Sequence, residues 1–352
     1  MRSSLFAYSL SHFCVDFACF WLLFGRVMAA GLPLETVALM FLAYNIVAFG
    51  LQAPLGHLCD ICPRIPAGFI GCAVVAAGLL ASSMLWPALL LVALGNAVFH
   101  VGGGIDSLSG SRMWRSGVFV SAGAPGVALG TLAGKSGLSL ALPLGMVLLS
   151  GVLVAALAPR RKAPPARFAL DVSSGAPFAA LILLASLSVV IRAYVGAVLP
   201  LPWKSASALM GLLPAACAFA GKAAGGILAD RLGARNVGVI ALLASLPCLA
   251  LGYAVPAVAM AGLALFNMTM PVTLCALASR LPDSTGFAFG LSTLALLIGT
   301  MPTFFFRLPD GAAPYVMAAL IALSALCVLL STRNQKGSLP HKSTVSVQYP
   351  AA

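Results

Sequence analysis

The chain has 352 residues, of which 61% are hydrophobic and only 8% are charged, and its formal net charge is +12. A soluble domain carries about 25% charged residues, so the composition excludes a soluble enzyme, a coiled coil and a disordered chain. Long unbroken apolar runs, rather than alternating segments of about ten residues, indicate an all-α polytopic membrane protein and not a membrane barrel.

Twelve apolar runs have the length of about 20 residues that a membrane-spanning helix needs. The first six cover residues 4–25, 34–55, 66–86, 88–109, 116–135 and 139–158. The second six cover residues 177–199, 206–228, 237–254, 257–278, 285–304 and 313–331. The first run is too long for a signal peptide and has no clear cleavage site, so we expect it to remain as the first span. Tight turns are predicted at Trp86-Pro87 and Val255-Pro256, because proline resists continuing a helix.

The first span carries a charged residue near its middle. Asp16 lies one helical turn after His12, on the same face. Burial disfavours a charged carboxylate, so Asp16 would bind and release protons near neutral pH, with His12 sharing the proton. The alternative is a polar pair that only packs the first span against its neighbours. We favour a proton-coupling site, because a charge at mid-span is costly.

The fourth span carries a second polar pair. His100 lies near its middle, one turn after Asn96. These residues either contact the substrate or relay a proton at the midplane, or they form helix–helix hydrogen bonds in the core. The glycines that follow, 102–104, either break the span to line a cavity or pack closely against another helix. Asn45 in the second span is a weaker candidate for the substrate site.

A short motif occurs at the same place in each half of the chain. Residues 56–60 and 226–230 both fit the pattern Gly-x-Leu-x-Asp, and they lie 170 positions apart. Glycine lets helices approach closely, and aspartate can bind a helix N-terminus or pair with arginine. One copy alone would read as ordinary loop chemistry, but two copies in register indicate a duplicated six-helix unit with a conformational latch. The predicted latch residues are Gly56, Asp60, Arg64, Gly226, Asp230, Arg231 and Arg235.

The second half contains two further cations within spans. Arg192 lies near the middle of the seventh span and needs either a carboxylate partner or an anionic substrate. We favour a position facing the cavity over snorkelling to the outer interface. Lys222 lies near the inner end of the eighth span, where snorkelling is the simpler reading. Asn267 in the tenth span is another weaker candidate for substrate binding.

Basic residues concentrate on one side of the predicted spans. With the N-terminus inside, 14 of the 20 basic residues lie in inner segments, four in outer segments and two within spans. The positive-inside rule therefore places both termini in the cytoplasm, and the net charge needs no nucleic-acid partner. We divide the chain into a first six-helix half at 1–158, a basic cytoplasmic linker at 159–176, a second half at 177–332 and a disordered tail at 333–352.

The motifs resemble those of one large transporter family. The segment 225–235, GGILADRLGAR, resembles the signature between spans eight and nine of the major facilitator superfamily, and 56–64 resembles its weaker partner between spans two and three. The segments 11–16, 52–56 and 95–100 resemble the fosmidomycin-resistance branch of that superfamily. This branch usually has a proline and an acidic residue after the Phe-His of span four, where this chain has Val101-Gly102-Gly103-Gly104.

The resemblance implies the major facilitator fold, with two pseudo-symmetric halves of six helices. It also implies a secondary transporter that moves a small organic solute by alternating access, most simply as proton-coupled efflux. The rivals are a proton symporter or facilitator for a nutrient, and a non-transporting receptor or assembly partner. We expect a monomer in the cell membrane that takes a small solute and protons, with no catalytic residues, no metal and no cofactor. No phosphate-binding loop or hydrolase motif is present to suggest otherwise.

Overall fold

The computed structural model describes residues 2–110, 112–158, 175–309 and 311–332, and within these ranges the chain is helical with no strand. The first six helices are α1 Ser3–Ala30, α2 Leu34–Ile61, α3 Ala67–Leu80, α4 Leu85–Leu108, α5 Met113–Lys135 and α6 Ala141–Leu157. The second six are α7 Gly175–Val198, α8 Ala208–Leu232, α9 Ala234–Ala250, α10 Pro256–Arg280, α11 Thr285–Phe304 and α12 Ala313–Ser331.

Each of the twelve predicted spans corresponds to one helix, so the predicted all-α fold of twelve helices is confirmed. Nine of the described helices are long and apolar enough to cross a membrane, and α3, α6 and α9 are shorter apolar helices. Four helices are irregular: α1 and α2 contain π-helical turns at Leu23–Val27 and Ile46–Gly50, α10 consists of two segments that meet at Met268, and α11 ends in a 3-10 turn at Met301–Phe304. The predicted linker, as far as residue 174, and the predicted tail lie outside the described residues.

One of the two predicted proline turns is wrong. The chain reverses at 81–84, and Trp86 and Pro87 lie in the first turn of α4. The first turn of a helix has no intrahelical partner for its N–H groups, so proline costs little there. The turn at Val255-Pro256 is confirmed, because α10 begins at Pro256.

Glycines set the distance between α1 and α5. A side chain on Gly126 would collide with the carbonyl oxygen of Phe13, and one on Gly130 would collide with that of Phe17. The two backbones therefore touch along several turns, as small residues allow in membrane helices. This contact holds the middle of α1 against the middle of α5.

The glycine run of α4 is a packing face and not a break. The helix continues without interruption from Leu85 to Leu108. Side chains added at 102–104 would collide with the backbone of Gly68, the ring of Phe119 and the ring of Phe289. These neighbours belong to α3, α5 and α11, so the run lets three helices approach α4.

Candidate functional site

A polar cluster lies where α1 and α4 cross. On α1, His12 and Asp16 are both buried, and His12 Nε2 lies 3.2 Å from Asp16 Oδ2. On α4, the Asn96 side-chain amide donates to Asp16 Oδ1 over 3.1 Å, and His100 Nε2 lies 3.6 Å from the same oxygen. The two predicted pairs are therefore one group, which we call the His–Asp cluster: His12, Asp16, Asn96 and His100.

The two imidazole rings of the cluster contact each other directly. His12 Nε2 lies 2.9 Å from His100 Nε2, and the rings meet edge to face with their centroids 4.5 Å apart. His12 Nδ1 lies 2.8 Å from the carbonyl oxygen of Phe119, and His100 Nδ1 lies 2.8 Å from that of Asn96. A carbonyl oxygen only accepts, so each Nδ1 carries a hydrogen. If both rings were neutral, neither Nε2 atom would carry a hydrogen, and the lone pairs of the two Nε2 atoms would face each other.

One extra proton resolves this arrangement. If His12 is protonated, its Nδ1–H donates to Phe119 and its Nε2–H points at the lone pair of His100 Nε2 and at Asp16 Oδ2. The Asp16 carboxylate then balances the imidazolium charge, and Asn96 donates to its other oxygen. Every nitrogen in both rings has a partner in this state. The geometry thus describes a site for a single shared proton.

Glycine and three titratable side chains surround the His–Asp cluster. A side chain at Gly123 of α5 would collide with both His12 Nε2 and Asp16 Oδ2, so the glycine makes room for the cluster. Asn96 also donates to the Cys19 thiol over 3.5 Å, and Tyr44 of α2 lies beside that thiol. Lys222 of α8 interacts electrostatically with Asp16. The cluster therefore has neighbours from α2, α5 and α8 as well as from its own two helices.

Three members of the His–Asp cluster form a group of described residues that could hold a metal ion. His12, Asp16 and His100 each offer a ligand atom, all within 4.8 Å of one another. Two nitrogens bound to a tetrahedral zinc ion at about 2.0–2.1 Å would lie about 3.3 Å apart. The observed separation of 2.9 Å between the two Nε2 atoms is shorter and typical of a hydrogen bond. A proton fits this spacing better than a metal does.

Arg192 lies in the second half, apart from the His–Asp cluster. Its guanidinium is buried in α7 and donates from Nη2 to Thr273 Oγ1 of α10 over 2.6 Å. The Nε atom is buried with no hydrogen-bond partner, and none of the ion pairs in the described chain includes Arg192. Lys222 is the neighbouring cation, since the two charges interact electrostatically.

The other two predicted substrate residues bond to their own helices. Asn45 donates to the carbonyl oxygen of Phe41, and Asn267 donates to that of Leu263, each over 2.8 Å. One N–H of each side-chain amide is therefore bonded to the preceding turn of its own helix. The geometry brings neither residue into the His–Asp cluster.

The two Gly-x-Leu-x-Asp motifs join the halves of the molecule. Asp60, at the end of α2, accepts from the backbone N–H groups of Gly286 and Phe287 over 2.9 and 2.8 Å. These two amides begin α11, and a carboxylate is stabilised at a helix N-terminus. Gly56 lies one turn earlier against the backbone of Gly286, so the missing side chain lets α2 approach closely enough for Asp60 to reach.

The second motif repeats this contact in the reverse direction. Asp230, at the end of α8, accepts from the backbone N–H groups of Met113 and Trp114 over 2.9 and 3.0 Å. These amides begin α5, and Gly226 lies one turn before Asp230 against the same backbone. Each half thus contributes an aspartate that binds a helix N-terminus of the other half.

The arginines of the motif do not take part in these contacts. Arg64, Arg231 and Arg235 are all exposed. None of the ion pairs found among the described residues includes them. A nearby arginine, Arg115, does form an ion pair, at 3.2 Å with Asp106 at the end of α4.

The sequence carries no signal for some of these partners. The amides of 113–114 and 286–287 are backbone groups, which any residue except proline supplies. Tyr44 and Cys19 look like apolar core residues by their surroundings in the sequence. Only the register of the two Asp motifs hints that their partners should also repeat.

Solved structures with a similar backbone are membrane transporters. The fucose transporter FucP in its outward conformation matches with a TM-score of 0.67 and 14% identity, over 94% of this chain and 97% of that one. The same protein, described as the E. coli fucose:proton symporter, also matches in a variant form, with a TM-score of 0.67, 15% identity and coverage of 94% and 96%. The human organic anion transporter MFSD10 matches with a TM-score of 0.66 and 16% identity, over 94% and 98%. A bacterial homologue of the iron transporter ferroportin, in an outward-facing state, matches with a TM-score of 0.57 and 18% identity, over 94% and 96%.

No protein-family model matches the sequence, and no curated protein matches it. The likeness is therefore one of fold. The chain has the twelve-helix fold of the major facilitator superfamily, to which FucP is assigned, and the neighbours named here are described as transporters.

Proposed function

We propose that the protein is a secondary transporter that moves a small organic solute by alternating access and couples the movement to a proton held by the His–Asp cluster. The observation that carries this proposal is the 2.9 Å contact between the Nε2 atoms of His12 and His100. Because both Nδ1 atoms face carbonyl oxygens, this contact needs a proton between the rings.

The cluster is positioned to bind and release this proton. It is buried among α1, α4 and α5, and among the described residues Asp16 is the carboxylate that contacts both histidines. Histidine changes its charge within the physiological pH range, which a carboxylate in water does not. Tyr44, Cys19 and Lys222 are the other titratable groups near Asp16. In this proposal the proton resides on the histidine pair, and Asp16 is its counter-ion.

The contacts that Asp60 and Asp230 make with the opposite half, which we call the latch contacts, correspond to one end state of the transport cycle. Asp60 and Asp230 hold the two halves together on the face where α2 and α8 end and where α5 and α11 begin. We place this face, together with both termini, in the cytoplasm, so the state is closed to the cell interior. Two of the structural neighbours are likewise described as outward conformations. Rocking of the halves would release both aspartates together.

Proton binding would bias this equilibrium. A ligand shifts a two-state equilibrium only by its different affinity for the two states. Lys222 of α8 belongs to the second half and interacts electrostatically with Asp16, so rocking of the halves changes the field at the cluster and its proton affinity. His100, Asn96 and Arg192 are the proposed substrate contacts. Asn45 and Asn267 stay weaker candidates.

The direction of transport is proposed from resemblance. The similarity of segments 11–16, 52–56 and 95–100 to the fosmidomycin-resistance branch supports efflux in exchange for a proton. The glycine run that replaces the acidic residue of that branch packs against α3, α5 and α11, so it leaves the drug substrate of the branch unsupported here. We propose a monomer in the cell membrane.

Proteoliposomes with a pH-sensitive dye inside test the coupling. Vesicles loaded in turn with lactate, succinate, glycerol 3-phosphate or a neutral sugar are diluted into solute-free buffer. An antiporter takes up protons as the solute leaves, so the lumen becomes acidic, whereas a symporter makes it alkaline. These signs hold for either orientation of the protein.

The decisive variant is Asp16→Asn, with Asp283→Asn as the matched control at an exposed position. The proposal predicts that Asp16→Asn still exchanges labelled for unlabelled solute but loses the pH change, while the control keeps both. Full coupling in Asp16→Asn would overturn the proton site. Absence of any solute movement in the wild type would favour the receptor or assembly partner instead.

A further inference from the structure

Arg192 is a buried cation whose charge no described carboxylate balances. Its residue exposure is 7%, and its guanidinium carries five N–H donors. The structure gives one of these a partner, Thr273 Oγ1, and leaves Nε buried without one. A hydroxyl group is a neutral acceptor, so the contact with Thr273 orients the guanidinium without neutralising it.

The other carboxylates near the core are engaged elsewhere. Asp16 faces the two histidines, Asp106 pairs with Arg115, and Asp60 and Asp230 accept from helix N-termini. A buried charge without a counter-ion is costly in a membrane protein, and a second cation nearby raises the cost. Lys222, on α8, is that second cation, since the two charges interact electrostatically. Lys222 also interacts electrostatically with Asp16, but that carboxylate is the counter-ion of the histidine pair. No described carboxylate is left to balance Arg192, so a mobile anion would complete its site.

We propose that the substrate carries an oxyanion group, carboxylate or phosphate, which binds between Arg192 and Lys222 with Thr273 fixing the guanidinium. This inference rests on the transport function proposed above and names its substrate class. A planar guanidinium matches the two oxygens of a carboxylate or phosphate, and the free Nε–H is one of the two parallel donors that such a pair uses. Lys222 would add a point charge from α8.

The site also suggests how substrate and proton communicate. Lys222 interacts electrostatically with both Arg192 and Asp16. An anion bound beside Lys222 would offset part of the positive field at the His–Asp cluster, and a proton on the cluster would strengthen the attraction for the anion. The two ligands would therefore influence each other without touching.

Binding to the detergent-purified full chain tests this inference without any ion gradient. The probes are acetate and inorganic phosphate against chloride at equal ionic strength, followed by the matched pairs lactate and lactamide, succinate and succinamide, and glycerol 3-phosphate and glycerol. A ligand that binds only the folded state raises the unfolding temperature. The inference predicts stabilisation by oxyanions over chloride and by the anionic member of at least one pair. The carboxylate and phosphate arms then show which group is preferred.

Substitutions of Arg192 and Lys222 test whether the anion binds at these two side chains. Arg192→Gln is expected to weaken the affinity for the stabilising anion at least tenfold, and Arg192→Lys, which keeps the charge but loses the planar fork, by an intermediate factor. Lys222→Met is expected to weaken it by a smaller factor. Arg307→Gln is the matched control at an exposed arginine and should bind like the wild type.

Three results would overturn the inference: no stabilisation by any oxyanion, equal stabilisation by the neutral members, or full anion affinity in Arg192→Gln. If Arg192→Gln does not fold, the affinity of Arg192→Lys decides in its place. Each of these results leaves the proton-coupling proposal standing, because Asp16→Asn tests that proposal separately in vesicles.

Discussion

His12 Nε2 lies 2.9 Å from His100 Nε2, although both rings turn their Nδ1 atoms toward backbone carbonyls. Two neutral rings in this arrangement would repel each other, so the contact and a bound proton belong together. The contact crosses from α1 to α4 and lies beside the only carboxylate near mid-span in the described helices. In the proposed mechanism, the side chains of His12, His100 and Asp16 hold the coupled proton.

Gly123→Ala should disrupt the cluster while leaving the fold intact. An added methyl group would collide with His12 Nε2 and Asp16 Oδ2, and overpacking of this kind costs about 1–3 kcal/mol. We expect a lower unfolding temperature and loss of the proton-coupled pH change in vesicles. Gly145→Ala on α6 is the control, because nothing lies within 4 Å of its added carbon. Wild-type coupling in Gly123→Ala would show that the cluster is looser than described.

Asp60→Asn should weaken the contact between the two halves on the face where α2 and α8 end. The amide keeps one acceptor but presents a donor to the second backbone N–H, and loss of a helix-capping carboxylate costs about 0.5–2 kcal/mol. Hydrogen exchange should then rise at Gly286 and Phe287, up to roughly tenfold for about 1.4 kcal/mol. If the halves move as rigid bodies, exchange should also rise at Met113 and Trp114, where Asp230 binds.

The matching variant Asp230→Asn should give the same pattern with the two sites exchanged, and Glu35→Gln, at an exposed carboxylate, is the control. A purely local rise in exchange around the altered aspartate would contradict a shared opening. No rise at either site would show that the carboxylates do not hold this face closed.

The arginines of the repeated motif should contribute little to this closed state. Arg64, Arg231 and Arg235 are exposed, and exposed charges contribute about 0–1 kcal/mol. The triple replacement by glutamine should leave hydrogen exchange at 113–114 and 286–287 within twofold of the wild type. An effect as large as that of Asp60→Asn would restore the arginines to the latch that the sequence predicted.

Removal of metal ions should leave coupling unchanged. The short separation of the two Nε2 atoms favours a proton over a metal ion between them. Vesicles prepared and assayed in EDTA should show the same solute-driven pH change as vesicles without it. If EDTA abolishes the change and zinc restores it, the cluster holds a metal in the working protein.

Much of the architecture could be predicted because hydropathy has a simple physical basis. Every backbone polar group in hydrocarbon must be bonded within the helix, so apolar runs of about 20 residues mark the spans with little ambiguity. The pairs His12 with Asp16 and Asn96 with His100 also follow from helical periodicity, because residues four apart share a face. Each of these two pairs can therefore be predicted from the sequence alone.

The union of the two pairs could not be predicted, because it depends on how α1 crosses α4. Nothing in the spacing of residues within either span fixes that crossing. The latch partners were hidden for a related reason: Asp60 and Asp230 bind backbone amides of the opposite half, which no residue type marks. The prediction of a turn at Trp86-Pro87 is wrong because proline is as acceptable in the first helical turn as outside the helix.

The shared proton itself can be measured by nitrogen NMR of the protein labelled with ¹⁵N-histidine. The chain has four histidines, so a background of His57→Gln and His341→Gln leaves only the two rings of the cluster. The account predicts that, near neutral pH, both Nδ1 atoms carry a hydrogen and the two Nε2 atoms share one proton, seen as a scalar coupling between them. Asp16→Asn should weaken or remove that coupling. Two neutral rings with no proton between their Nε2 atoms, under conditions in which the protein transports, would contradict the account.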